Sequence, residues 1–440
     1  MSSVSDAPTT GQAAPTGHTT GPGTAADSAG FDRLRYTGVF ALLFLFGTET
    51  FLVSPLLPTI ATDIHVSEAA AASSVTAYVL VYAVCAPFLG LLSDRFGRRR
   101  TLLAGSLLFV VSNAAAALST GLTTLVLARA VAGLAAAAAG PAIWAHIAET
   151  VPDRVRGRAL GLGMALFSCG QVIGVPLGGL LAGAAGWRSA FLALAIGTAA
   201  AVPLLLRQVR PAAARSVQDP APGGAGGAVR ASGAVRAVLA AWGDPALRRG
   251  LLVNTVFNAA NLGAYTFLGA VLVQRFELSV TQLGLVGILV GAGSVAGSLA
   301  GGRLGDRARA AGRTDLPLLP LWGLLLAAGV ALAAEGPGIV LSLAGIVLWF
   351  VASGAFVTDQ QTFAGTVAPE LRATSSAWLT STMYAGTGVG AWAVGAFADV
   401  ATGTLVIGGG LALLGALGGL LVSTGLRRHA AAGGADTAAG

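Results

Sequence analysis

Not one of the 440 residues is a lysine, and charged side chains of every kind make up only 10% of the chain. A soluble domain carries about a quarter charged residues, so this chain lacks what a water-facing surface requires. Its mean hydropathy of +0.76 points to a bilayer instead. The missing lysine also removes the phosphate-binding residue of a G-x-x-x-x-G-K-[ST] loop, which leaves an ion gradient as the source of energy. Cysteine is nearly absent: Cys85 and Cys169, both inside apolar runs, provide neither a disulfide framework nor a metal site, and no cofactor or metal is expected. There is no Ser-His-Asp, metal or paired-carboxylate arrangement to suggest an enzyme. The net charge of +7 comes from arginines spread through short turns, without a basic helix or basic-aromatic stretch, so no nucleic-acid partner is expected. The alternating ten-residue pattern of a membrane barrel is missing as well.

What the chain does have is apolar runs about 20 residues long, the length that crosses roughly 30 Å of hydrocarbon at ~1.5 Å per residue. Twelve are predicted, over about 36–58, 70–92, 101–118, 122–149, 157–184, 187–206, 250–273, 281–302, 316–334, 337–366, 373–396 and 402–426. The expected fold is an all-α membrane protein with twelve transmembrane helices in two pseudo-symmetric six-helix bundles. Its parts would be a disordered tail over 1–32, bundles over 33–206 and 250–427 joined by a linker over 207–249, and a disordered tail over 428–440. The first 30 residues lack the basic region and apolar core of a cleaved signal, so the first run is expected to be retained. Arginines cluster at one set of ends: Arg95 and Arg98 to Arg100, Arg154 to Arg158, the linker, Arg303 to Arg313, Arg372, Arg427 and Arg428. The positive-inside rule then puts both termini in the cytoplasm and leaves only Arg188 and Arg275 outside, with Arg129 inside a run.

The two halves repeat each other. "GLLSDR" at Gly90 to Arg95 matches "GRLGDR" at Gly302 to Arg307, and Arg156, Gly170, Gly174 and Gly179 align with Arg372, Gly386, Gly390 and Gly395 at a constant step of 216. Gly90, Asp94, Arg95, Gly97, Arg98 and Arg99, with Asp306 and Arg307 in the second copy, can form a charged latch holding the halves together on the inner side. Plain anchoring of arginines at the membrane surface is the alternative, although it accounts for neither the acid nor the glycines. On the fifth run, Gly161, Gly170, Gly174, Pro176, Gly178 and Gly179 make a smooth face for close helix contact, with a bend at the proline. The copy on the eleventh run has Trp392 in place of that proline.

The segment from Gly90 to Arg100 resembles the loop 2-3 signature of the major facilitator superfamily. The glycine string with Pro176 is similar to the antiporter signature of that family's drug-exporter branches. "GTETFLVSPLLPTIATDIHVS", "LARAVAGLAAAA" and "GWRSAF" extend the resemblance over residues 36–200, toward exporters of the arabinose-efflux-like and chloramphenicol-resistance kind. The second half matches only in general plan. The resemblance implies a proton-coupled drug antiporter of twelve helices, with the fourth-helix arginine, Arg129, involved in coupling.

Counting along the runs places Glu49 and Arg129 both about 10 Å below the outer surface. Such a pair can bind and release a proton as the hydration of the site changes, or can serve as a static tie between the first and fourth helices. Asp359, near the inner end of the tenth run, is a second candidate for a proton or cation, or else a solvated helix end. Asn254, Asn258, Asn261 and Tyr265, spaced by four, three and four, are expected to share one face of the seventh helix and to contact substrate or to bond between helices. Gln171 and Gln360 complete the candidate substrate set. His146 is read as structural. The expected activity is proton-coupled export of a small drug-like or metabolite molecule through the cell membrane by alternating access, by a monomer whose partners are its substrate, protons and lipid. A sugar or nucleoside uniporter or importer of the same fold is the alternative, and a non-transporting sensor or scaffold is a third.

Overall fold

The computed structural model describes residues 33–209, 239, 242–310, 318–367, 372–418 and 420, which are helical almost throughout, with no strand among them. Both expected tails and most of the central linker lie outside the described residues. Twelve helical segments follow one another: Thr37–Asp63, Glu68–Phe96, Arg98–Ala117, Leu122–Thr150, residues 153–185, Arg188–Gln208, Pro245–Phe276, Val280–Ala310, Leu319–Glu335, Ile339–Val367, Arg372–Gly395 and Val400–Gly418. Ten of these are long and apolar enough to cross a membrane, and the ninth is a shorter apolar helix. The eleventh, 24 residues long and rich in Ser, Thr and Gly, reaches ~36 Å and also has the length to cross. Segment ends carrying most of the arginines form what is called here the basic end; the opposite ends form the far end.

Hydrophobicity does not drive helices together in lipid, so small residues that let backbones approach closely must do so. The fifth segment shows how. A side chain at Gly170 would strike the backbone of Phe44 and Thr48, at Gly174 the Thr48 side chain, and at Gly178 the side chain of Leu52, all on the first segment. The second half repeats this packing: Gly386 and Gly390 of the eleventh segment press on the carbonyls of Thr255 and Ala259 of the seventh. Phe44 to Thr255 and Thr48 to Ala259 are the same step of 211 residues.

Three segments are widened by π-turns, at Gly170–Gly174, Ala259–Gly263 and Thr404–Gly409. The first lies just before Pro176, which has no N–H to donate back along the helix, so the ladder is already broken there. The bend expected at the proline therefore takes the form of a wide turn one residue ahead of it.

The two arginines expected at the far end are both there, and both are engaged. Arg188 donates to Asp63 Oδ2 at 2.5 Å and twice to the carbonyl of Ser119, beyond the end of the third segment. Arg275 donates to the carbonyls of Ala333 and Gly336 at the end of the ninth. Cations at helix C-termini meet unsatisfied carbonyls and the negative end of the macrodipole. Each half thus ties its loops together at the far end with an arginine on the end of its third helix.

The halves meet between mid-depth and the far end. Gly179 of the fifth segment faces Gly284 of the eighth, a Cβ there lying only 2.6 Å from the opposing Cα; Gly269 packs on the Ser54 carbonyl, and Gly388 on Leu80 and Val79. Ser54 Oγ donates to the carbonyl of Tyr265 at 2.6 Å, and the Tyr265 hydroxyl donates to that of Phe51 at 2.9 Å, so the first and seventh segments are stitched in both directions.

Candidate proton and substrate site

Glu49 lies within the first segment and Arg129 within the fourth, and the two meet: Arg129 Nη1 donates to Glu49 Oε1. Both residues are buried, at 1% and 2% exposure. The counted depths agree because both helices are regular between the surface and these residues. The pair is incompletely satisfied, with neither Glu49 Oε2 nor Arg129 Nε having a hydrogen-bond partner. The guanidinium lies 4.5 Å from the ring centre of Tyr78 and 5.6 Å from that of Phe191, so aromatic faces replace part of the lost hydration.

Beside the pair, between the two halves, is a cavity of about 30 Å³. Its walls include Thr50, Ser54, Tyr78 and Arg129 from one half and Tyr265, Tyr384 and Thr387 from the other; Glu49 is not among them. The space suits a water molecule and is far below the several hundred Å³ of a drug-sized site. Tyr384 closes it from the eleventh segment, its ring tilted against that of Tyr82 with centres 4.3 Å apart and its hydroxyl 3.5 Å from Thr50 Oγ1. Sequence reasoning named only Tyr265 among these tyrosines. A signal was available: only five tyrosines occur in the chain, and Tyr78, Tyr82, Tyr265 and Tyr384 all gather at the seam.

The polar stripe on the seventh segment does not share one face, which corrects the expectation. The π-turn at Ala259–Gly263 adds backbone between Asn258 and Tyr265 and turns the later residues away. Asn254 donates to the Leu379 carbonyl and to Thr382 Oγ1, both at 2.9 Å, toward the eleventh segment, and Asn258 donates back to Asn254. Asn261 bonds Ser353 and Trp349 of the tenth, and Tyr265 turns to the first. Only Tyr265 of the four lines the cavity.

Asp359 is buried at 3% exposure and accepts from Trp322 Nε1 of the ninth segment at 2.6 Å, so it is not a solvated helix end and lies away from the cavity. Gln360 is buried with neither amide atom partnered; it lies on the same stripe as Phe356 and Phe363, which contact Phe257 and Gly250 of the seventh segment. Gln171, in the first π-turn, is buried and does not line the cavity.

The expected latch is described only in part. The side chains of Gly90, Asp94, Arg95 and Asp306 lie outside the described residues, although the second helix itself continues through to Phe96. Gly97 holds φ +89 in the turn before the third segment, a conformation that favours glycine. Arg98 pairs with Glu149 at 2.6 Å, and Arg99 donates to the Leu206 carbonyl at 3.1 Å. These contacts tie helices three, four and six of one half. Arg307 is exposed.

Known proteins resemble this arrangement. A family model described as Major Facilitator Superfamily matches residues 39–391. An uncharacterised MFS-type transporter, YceJ, of Bacillus subtilis (strain 168) is 29% identical over 80% of this chain and 86% of its own. A chloramphenicol resistance protein of Streptomyces lividans is 32% identical over 68% of this chain and 72% of its own. Among solved structures, a bacterial homologue of the human lysosomal transporter Spinster, inward-facing and unoccupied, superposes with a TM-score of 0.70 at 18% identity, covering 90% of this chain and 96% of that one.

Proposed function

Since the chain belongs to the Major Facilitator Superfamily of membrane transporters, we propose that it exports a small drug-like or metabolite molecule from the cell in exchange for protons. In this reading the protein is a monomer in the plasma membrane, with the basic end and both termini in the cytoplasm. The observation that carries the reading is the buried Glu49–Arg129 pair, incompletely hydrogen-bonded, at the edge of a cavity bounded by both halves. A pair built only for stability is a poor device in a membrane, where apolar packing does as well or better.

The proposed cycle uses the contacts described above. With the far end closed, the protein faces inward and takes up cargo at the seam between the halves. As the far-end contacts part, Glu49 meets outside water and takes a proton, and cargo leaves outward; the protonated state returns inward and releases the proton there. Asp359 is proposed to act as an accessory buried carboxylate, and Tyr265, Gln171, Gln360 and the three asparagines as the polar surface exposed to cargo when the halves separate. The charged turns of Asp94 and Asp306 would close the basic end in the outward-facing state, while the glycine string with Pro176 keeps the fifth segment pressed on the first. The relatives with resistance in their names make chloramphenicol and tetracycline the first cargoes to try.

In proteoliposomes holding a pH-sensitive dye, adding cargo to the wild type is expected to release protons, and Glu49→Gln to abolish that release while leaving cargo-for-cargo exchange intact. Proton release from Glu49→Gln at the wild-type stoichiometry rules the assignment out.

A further inference from the structure

The central cavity is unequal in what it offers a visitor. Arg129 forms part of its wall and Glu49 does not, so the ion pair shows its cationic member to the cavity and keeps its acid behind. Arg129 Nη1 is taken by Glu49, but Nε–H is buried and has no acceptor. A guanidinium donor held out of water without a partner is expensive, and a hydrogen bond to a charged donor is among the stronger ones available. The remaining polar side chains of the wall are neutral hydroxyls, those of three tyrosines, three threonines and Ser54.

The geometry points to an uncharged cargo carrying a hydrogen-bond acceptor, such as a carbonyl or nitro group, which docks on the Arg129 guanidinium as the halves separate. The inference rests on the antiport reading above and gives it a charge class. A cation must pass the guanidinium to reach Glu49 and meets repulsion first. An anion would bind best when Glu49 is protonated and Arg129 is uncompensated. By linkage, cargo and proton would then favour each other and travel together, which is cotransport and not exchange. An uncharged acceptor escapes both difficulties. While Glu49 is ionised it fixes the guanidinium, whose remaining N–H donors meet the cargo as the halves separate; protonation releases the guanidinium to turn on the faces of Tyr78 and Phe191, and the dock is lost. The other titratable groups lining the cavity are Tyr78, Tyr265 and Tyr384, from the second, seventh and eleventh segments, with Tyr82 packed behind Tyr384. The cavity as it stands has room for no more than a water-sized group; the docking group enters as the halves separate.

Two measurements on the full-length protein test this. Binding of labelled chloramphenicol to purified transporter is expected to be displaced by unlabelled chloramphenicol and to resist both the permanent cation tetraphenylphosphonium and the anionic hemisuccinate ester. Arg129→Lys keeps the charge but lacks the guanidinium, and is expected to weaken chloramphenicol about tenfold. Tyr384→Phe, which removes one wall hydroxyl and keeps the ring, is expected to weaken it less and guards against a fold defect in the arginine variant. Displacement by the cation at equal or lower concentration, or no binding of chloramphenicol to the wild type, overturns the inference.

The second measurement reads charge movement. Exchange of one proton for an uncharged cargo moves one positive charge inward, so an interior-negative potential imposed without a pH difference is expected to drive export. Export driven by a pH difference but indifferent to potential overturns the uncharged-cargo inference and leaves antiport standing. Indifference to both overturns the antiport reading itself.

Discussion

In the N-terminal half, Gly170 and Gly174 press the fifth segment onto Phe44 and Thr48 of the first; in the C-terminal half, Gly386 and Gly390 press the eleventh onto Thr255 and Ala259 of the seventh. The step of 211 residues that relates the two sets of contacts takes Glu49 to Ala260. Aligning the fourth and tenth segments end to end, each 29 residues, sets Ile346 where Arg129 stands. The packing is thus kept in both copies, whereas the buried ion pair exists in one. Near the seam the C-terminal half offers amides, bonded largely to one another and to neighbouring helices, and the hydroxyls of Tyr265 and Tyr384. A membrane bundle needs its close contacts twice, because each half must hold together in lipid unaided. A single ion pair is enough for one proton site at the seam; the buried carboxylate of the second half, Asp359, lies away from the cavity on Trp322.

The sharpest way to break this comparison is to leave one charge alone. Arg129→Leu strands Glu49 and is expected to cost about 3–5 kcal/mol, read as lost thermal stability in detergent. Adding Glu49→Leu should recover most of that stability without restoring transport. Ala260→Glu, at the equivalent place in the other half, should destabilise like the single Arg129 variant. If the double variant is no more stable than Arg129→Leu, the pair is not the isolated unit described here.

The glycines give a smaller contrast. A Cβ at Gly174 meets the movable Thr48 side chain, whereas one at Gly390 meets the Ala259 backbone. Each alanine substitution is expected to destabilise by about 1–3 kcal/mol, with Gly390→Ala the more severe. Thr48→Ala should rescue Gly174→Ala, and no side-chain truncation on the seventh segment should rescue Gly390→Ala. Equal rescue in both halves would show that the eleventh segment shifts to make room.

The smallest effect concerns the far-end loops. Hydrogen bonds from Thr402 and Gln274 hold the Asp399 carboxyl at about 2, below its ordinary range. The stability this brings is complete above its unfolded value of ~4 and is lost as pH falls through about 2. Asp399→Asn is expected to reduce the loss of thermal stability between pH 4 and pH 2, and an unchanged profile would mean that the group does not titrate as described.

Much of this was legible in the chain. Run length and arginine placement gave the segments, and residue counting brought Glu49 and Arg129 to one depth, because helical rise is constant where the helix is regular. The asparagine stripe was misplaced for the converse reason. A π-turn in "AANLG" has no distinctive residue pattern, and one extra residue in a turn redirects every side chain after it. Residues 373–396 read as a spanning run by their length although Ser, Thr and Gly dilute them. The tyrosine seam was missed because its members lie on three different segments and only the packing brings them together.

Gly179 against Gly284 is a joint made of two backbones and nothing else. Only small contacts flank it, Val175 on Gly287 and Thr281 on Gly183, so there is little to disentangle if the surfaces part. The gap is also too narrow for a lipid tail, so the same contact is a gasket. A bearing that seals when shut and lets go cleanly allows one wall of the protein to open to water without letting the bilayer leak in behind it.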